Sequence, residues 1–207
     1  MSATSTSPDV ARPRPRGRPR LVEEKDALDR LTQIFWTQGY TQTSLHDLEV
    51  ASGMHKPSLY RLFGSKEELF ARVLRRYLDR RMTMFARLIE LSGPGVAGIH
   101  SFLSSLRDDI VQGSSKNGCL LVASSTELHG STPGFDDFGV VYREQLRERM
   151  GVLIALAGGE SQVVESRTDL FTTWLLGVDV ATRGGANEAE IDRTVGAMRM
   201  VVDTWVR

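Results

Sequence analysis

Several features are scarce in this 207-residue sequence, and each scarcity excludes a class of protein. The single cysteine, Cys119, has no partner for an internal disulfide, so a reducing compartment, the cytoplasm, is expected. No apolar run approaches the roughly 18 to 20 residues of a membrane-spanning helix, so no membrane partner is expected. The basic, proline-rich N-terminus has no apolar core and does not resemble a secretory signal.

Signatures of catalysis and of metal binding are also missing. The sequence has no G-x-S-x-G elbow, no H-E-x-x-H pair and no P-loop, and its four histidines are scattered. Residues 93–98, GPGVAG, match G-x-G-x-x-G only formally, because no strand precedes them and Pro94 lies inside the motif. We therefore expect neither an enzyme nor a metal, and no cofactor.

The net charge is zero, but the charge is unevenly distributed. Residues 1–76 hold 13 Lys and Arg against 9 Asp and Glu, whereas residues 77–207 hold 13 against 17. Such asymmetry suggests that the front of the chain binds a polyanion and that the remainder has another role.

Residues 43–63, TSLHDLEVASGMHKPSLYRLF, have the spacing of a helix-turn-helix. Thr43 and Ser44 can cap the first helix by accepting a backbone N–H. That helix has one apolar stripe, formed by Leu45, Leu48 and Ala51. Gly53 suits the sharp turn, and Pro57 suits the first turn of the second helix.

The second helix leaves a polar set free to point outward, which suits the major groove of DNA. Lys66 begins the next helix and is a further candidate for a phosphate contact. The predicted DNA-contacting residues of this region are Thr43, Ser44, His55, Lys56, Ser58, Tyr60, Arg61 and Lys66. The alternative is an ordinary helical hairpin with a solvated polar face.

Residues 28–78 resemble the N-terminal domain of the TetR family of bacterial transcriptional regulators. The matching residues are Phe35, Gly39, Tyr40, Thr43, Leu48, Ala51, Gly53, Ser58, Leu59, Tyr60, Phe63 and Ser65 to Leu69. Two positions depart from the family pattern: Glu49 stands where a small residue is usual, and His55 where a small hydroxyl residue is common. Base preference and fine docking stay open on that account.

Residues 1–20 are expected to form a disordered basic arm. Within it, Arg16-Gly17-Arg18-Pro19 resembles an AT-hook, whose thin Arg-Gly-Arg strand fits a narrow A·T minor groove. Arg16 and Arg18 are the predicted contacts. A non-specific phosphate-binding tail is the alternative.

The predicted fold is all-α, with about nine helices. A helix-turn-helix DNA-binding domain is expected over residues 21–66 and a helical ligand-binding and dimerisation domain over 67–207. The predicted helices outside the helix-turn-helix of residues 43–63 are 22–38, 65–91, 96–112, 117–129, 135–157, 162–183 and 188–206.

The last two helices carry apolar stripes that suit a four-helix dimer interface, as the resemblance implies. The predicted interface residues are Phe171, Trp174, Val178, Ile191, Val195, Met198, Val202 and Trp205. The alternative is that both stripes face the core of their own chain.

The resemblance implies a ligand-responsive regulator, a repressor that binds a near-palindromic operator as a homodimer and is released by a small molecule. Candidate pocket residues are Phe102, Leu106, Leu121, Phe138, Tyr142 and Trp174. Two alternatives remain. One is a non-specific DNA-coating protein that uses the arginine-rich arm. The other is a thiol-based sensor through Cys119, whose place at a predicted helix start favours a thiolate.

Overall fold

The computed structural model describes residues 19–113, 115–128, 130 and 135–206, and every regular element in these ranges is helical. The helices are α1 (Pro19–Gln38), α2 (Leu45–Ser52), α3 (Lys56–Phe63), α4 (Lys66–Ser92), α5 (Gly95–Gln112), α6 (Leu120–Leu128), α7 (Asp136–Ala155), α8 (Ser161–Arg183) and α9 (Glu188–Asp203). The predicted all-α class and helix number are confirmed over these residues. None of the described helices is long and apolar enough to cross a membrane.

Local capping explains where α2 begins and ends. The Ser44 side chain accepts from the backbone N–H of Asp47, and the Asp47 carboxylate accepts from the backbone N–H of Ser44, which forms a capping box. At the other end Gly53 has a φ of 70°, a conformation that glycine adopts without steric cost. Arg30 of α1 donates to the carbonyl groups of Ala51 and Ser52, which have no intrahelical partner there.

The 27-residue helix α4 joins α2 and α3 to the remaining helices. A second capping box, between Ser65 and Glu68, fixes its first turn. Phe70 of α4 packs against Phe35 and Tyr40, with ring centroids 4.7 and 4.9 Å away, and against Phe135 at 5.5 Å. These rings form one apolar cluster that attaches α1 and the turn after it to the start of α7.

Further along, α4 passes through the centre of the C-terminal helices, where it contributes a buried ion pair. The Arg81 guanidinium lies 2.8 Å from the Asp179 carboxylate of α8, and both side chains are buried. Tyr142 of α7 donates to the second Asp179 oxygen at 3.1 Å, and Arg81 also donates to the Ser115 hydroxyl. A single polar network therefore ties α4, α7 and α8 together.

The apolar stripes of α8 and α9 face the core of their own chain. Seven of the eight predicted interface residues are buried within one chain: Phe171, Val178, Ile191, Val195, Met198, Val202 and Trp205. Only Trp174 stays partly accessible. The prediction of these seven as dimer contacts is therefore wrong. Their spacing indicates an apolar face, but α5 covers the α9 stripe from within the subunit.

Helix α6 begins at Leu120, three residues later than predicted. The cause is Gly118, whose φ of 72° ends the preceding turn. A Cβ at Gly118 would lie 2.6 Å from the backbone oxygen of Asp179, so this turn packs directly on α8. Cys119 consequently precedes the helix and is fully buried.

Candidate nucleic-acid interface

Helix α3 presents one polar face to solvent. The exposed residues are Lys56, Pro57, Tyr60 and Arg61. They fall on one side of the helix because Lys56 and Tyr60, like Pro57 and Arg61, are four residues apart. On the opposite side Leu59 and Phe63 are buried. The Lys56 ammonium lies 5.7 Å from the centre of the Tyr60 ring, so charge and aromatic surface are adjacent. Ser58 is half-buried at the edge of this face.

The two departures from the family pattern lie together at the start of α3. His55 is exposed and takes the N-cap position without a side-chain capping bond. Glu49 of α2 supplies the missing acceptor, since its carboxylate receives the backbone N–H of Lys56. A carboxylate is favourable at a helix N-terminus because of the helix dipole. Glu49 therefore fixes the angle between α2 and α3, a role that its position in the sequence did not reveal.

At the start of α2, Thr43 and Ser44 differ in accessibility. Ser44 is exposed, and its hydroxyl belongs to the capping box with Asp47. Thr43 is only 1% exposed, and its hydroxyl donates to the carbonyl of Gly39. The predicted cap and DNA contact through the Thr43 side chain are therefore wrong, because an internal hydrogen bond fixes that side chain in the α1–α2 turn.

Lys66 lies at the N-terminus of α4 as predicted, but it is half-buried. Its ammonium group lies 4.4 Å from the centre of the Tyr40 ring. Burial lowers the pKa of Lys66, and the neighbouring Glu67 and Glu127 oppose that shift. The Tyr40 hydroxyl donates to the Glu67 carboxylate at 2.8 Å. Lys66 is therefore held in place before any DNA is present.

Two contacts connect this surface to the C-terminal helices, and neither had a sequence signal. The Glu127 carboxylate of α6 accepts the backbone N–H groups of Tyr40 at 3.0 Å and Thr41 at 2.7 Å. Arg183 of α8 donates to the carbonyl of Trp36 near the end of α1. Both bridge more than 80 residues of sequence, so local patterns cannot reveal them.

The six predicted pocket residues do not line a common cavity. Phe102, Leu106 and Leu121 are fully buried core residues. Tyr142 is buried against Asp179, and Trp174 borders a shallow groove on α8 and α9. Phe138 is half-buried beside Phe135. The role of these six residues as one effector pocket therefore stays a prediction.

A cavity of about 180 Å³ lies instead where α1, α4 and the segment before α6 meet. Its lining residues are Thr32, Trp36, Arg76, Tyr77, Arg80, Arg81, Met84 and Ser115. None of the six predicted pocket residues is among them.

Cys119 lies in surroundings that disfavour a thiolate. The thiol is fully buried, and burial raises its pKa, with the Asp179 carboxylate adding to the effect and Arg81 opposing it. The start of a helix was expected to stabilise the thiolate form of Cys119, but this desolvation opposes that effect. The two arginines predicted to enter the minor groove, Arg16 and Arg18, lie outside the described residues.

An exposed polar helix that follows a glycine turn and lies between two capped helices has the arrangement of a helix-turn-helix DNA-binding domain. The family model described as "Bacterial regulatory proteins, tetR family" matches residues 27–73. Over α1 to α4 the chain is therefore similar to the TetR family of bacterial regulatory proteins.

Individual relatives agree with this assignment. The transcriptional repressor ComR of Escherichia coli is 32% identical over 114 residues, a match that covers 55% of this chain and 54% of ComR. A regulator from Streptomyces coelicolor, SCO4454, superposes with a TM-score of 0.77 at 16% identity, over 89% of this chain and 96% of its own. CifR, a TetR-family regulator solved with a 26-base-pair operator, has a TM-score of 0.65 at 27% identity, over 95% of this chain and 98% of its own.

Proposed function

We propose that this protein is a transcriptional repressor that binds a near-palindromic operator as a homodimer and is released by a small-molecule effector. It acts in the cytoplasm and carries out no catalytic step. The observation that carries the proposal is the exposed α3 face of Lys56, Pro57, Tyr60 and Arg61, because a major groove admits an α-helix. ComR, which is named a repressor, and CifR, which was solved on operator DNA, support the same reading.

The DNA-reading surface is tested by substitutions that leave the packing intact. Tyr60→Ala and Lys66→Ala should each weaken operator binding by about 1–3 kcal/mol, since each removes a direct contact. Arg87→Ala removes an exposed charge near the C-terminal end of α4 and serves as the matched control. Affinities unchanged in both variants relative to Arg87→Ala would refute the placement of the surface. Circular dichroism confirms that each variant is folded.

The basic arm is tested separately. Deletion of residues 1–20 removes five arginines, so it should weaken binding and flatten the dependence of log K on log salt concentration. An unchanged salt slope would show that the arm makes no phosphate contact.

We place the dimer interface on the outward faces of α8 and α9, opposite the buried stripes. On α8, Leu170, Gly177 and Ala181 are exposed and Trp174 is partly so, at helical spacings that form one strip. On α9 the exposed apolar side chains are Ala197, Met200 and Val201. Small residues beside large apolar ones allow two helices to approach closely, and two copies of this surface would cover each other about a two-fold axis.

Gly177 provides a selective test of this interface. No atom lies within 4 Å of a Cβ built at Gly177, so Gly177→Arg fits the single subunit but projects into the proposed partner. We expect a monomer by analytical ultracentrifugation, with loss of operator binding because one reading helix covers too few base pairs. Val50→Arg, at an exposed position on α2, should stay dimeric. A dimeric Gly177→Arg variant would refute this interface.

A further inference from the structure

The cavity between α1 and α4 contains donors that lack acceptors. Three buried side-chain polar atoms without a hydrogen-bond partner in the described residues belong to residues that line this cavity: Trp36 Nε1, Tyr77 OH and Arg81 Nε. The Tyr77 hydroxyl faces the backbone N–H of Leu120 without reaching hydrogen-bond geometry. Buried donors without acceptors are costly, and these three belong to residues around one void, which leaves room there for an added acceptor.

The electrostatic balance of the cavity favours an anion. The guanidinium groups of Arg76, Arg80 and Arg81 line the cavity. Together these three groups contact two carboxylates. Asp29 accepts from both Arg76 and Arg80, at 2.9 and 3.1 Å, and Asp179 accepts from Arg81. The cavity therefore has one more cationic group than it has carboxylates in direct contact with those groups. The Arg80 side chain is 51% exposed and marks the solvent side, from which an anion can be attracted.

Size and lining then restrict the ligand. Trp36, Tyr77 and Met84 supply aromatic and thioether surface. A volume of about 180 Å³ is slightly larger than an engineered apolar cavity of about 150 Å³ that holds benzene. The space therefore suits one six-membered ring with a small acidic substituent.

We propose that this cavity is a binding site for a monocyclic aromatic carboxylate. The ring packs against Trp36, Tyr77 and Met84, and the carboxylate oxygens accept from the unpaired donors of Trp36 and Arg81. The site lies between α1 of the DNA-reading domain and α4, so occupancy acts on the angle between them. In its role as an effector site the proposal rests on the proposed function, whereas binding itself does not.

Isothermal titration calorimetry of the full chain with benzoate, in the absence of DNA, tests the site. Benzoate should bind with a Kd below about 1 mM, and benzamide, which is neutral and nearly isosteric, at least about tenfold more weakly. Trp36→Phe keeps the ring but removes one donor and should weaken benzoate at least about tenfold. Trp205→Phe is the matched control, because Trp205 is also a buried tryptophan but lies after α9 and does not line the cavity.

Charge is tested in the same manner with Arg80→Gln, which should weaken benzoate severalfold, and Arg87→Gln, which should not. No benzoate binding, equal binding of benzamide, or equal effects of the two tryptophan substitutions would each overturn the proposal.

The outcome for this site can be distinguished from the outcome for the proposed function. If an operator is selected but benzoate does not bind, the site fails and the regulator stands. If benzoate binds but no operator is enriched, the site stands and the regulator fails.

Discussion

The buried ion pair between Arg81 and Asp179 gives the sharpest quantitative prediction for the helical body. The two side chains are 3% and 2% exposed, and their charged atoms lie 2.8 Å apart. Asp179→Asn removes the carboxylate charge with little change in shape and leaves a buried guanidinium without a counterion. Breaking a buried pair in this way costs about 3–5 kcal/mol.

An exposed pair on the same helix provides the control. Asp169 of α8 lies 2.6 Å from Arg147, but the two side chains are 60% and 49% exposed. Solvent screens this contact, so Asp169→Asn should cost about 0–1 kcal/mol. The distances of the two pairs are similar, and the predicted difference therefore comes from burial alone.

Urea unfolding at one fixed protein concentration measures both variants, since a dimer's stability depends on concentration. The double variant Arg81→Met with Asp179→Leu should recover most of the loss, because it removes the unpaired charge together with its partner. Equal losses for Asp179→Asn and Asp169→Asn, or no recovery in the double variant, would refute the argument from burial.

Three further predictions follow from particular contacts. Gly118→Ala should destabilise the protein at least about 2 kcal/mol more than Gly158→Ala, because both positions have positive φ but only Gly118 abuts the α8 backbone; equal midpoints in urea would contradict this. Burial alone would raise the pKa of Glu127, but hydrogen bonds from Thr41 and Tyr40 bring it below the usual value. The stability it contributes is therefore complete above about pH 4.3 and is lost as the pH falls through the lowered pKa. Glu127→Gln should lower Tm at neutral pH and flatten the acid limb of the Tm profile, and a profile parallel to the wild type would contradict this. Cys119 should react slowly with iodoacetamide in the folded protein and rapidly in urea, and rapid reaction before unfolding would contradict its burial.

The sequence could predict the features whose causes are local. The cap at Ser44, the turn at Gly53 and the exposed face of α3 depend on residues within a few positions of one another. The predicted helix bounds differ from the observed ones where a long-range contact determines them. Gly118, which packs on α8, is one such position. The exposed side of the candidate site could therefore be predicted from the sequence.

The remaining features depend on which surfaces meet, and periodicity does not contain that information. The stripe that includes Val195 and Met198 indicated an apolar face on α9, but not that α5 of the same chain covers it. Arg81 and Asp179 are 98 residues apart, and Glu127 reaches the α1–α2 turn across more than 80. The cavity escaped prediction for the same reason, since a void is a property of packing and not of any one helix.

Selection of duplexes from a random DNA pool at physiological salt tests most directly whether the protein reads a specific operator as a dimer. We expect enrichment of a near-palindrome whose half-sites lie about one helical turn apart or a multiple of it. Binding to that sequence should be about 10³-fold or more tighter than to unrelated DNA. Retention of DNA without enrichment of any sequence would indicate a non-specific coating protein and contradict the account.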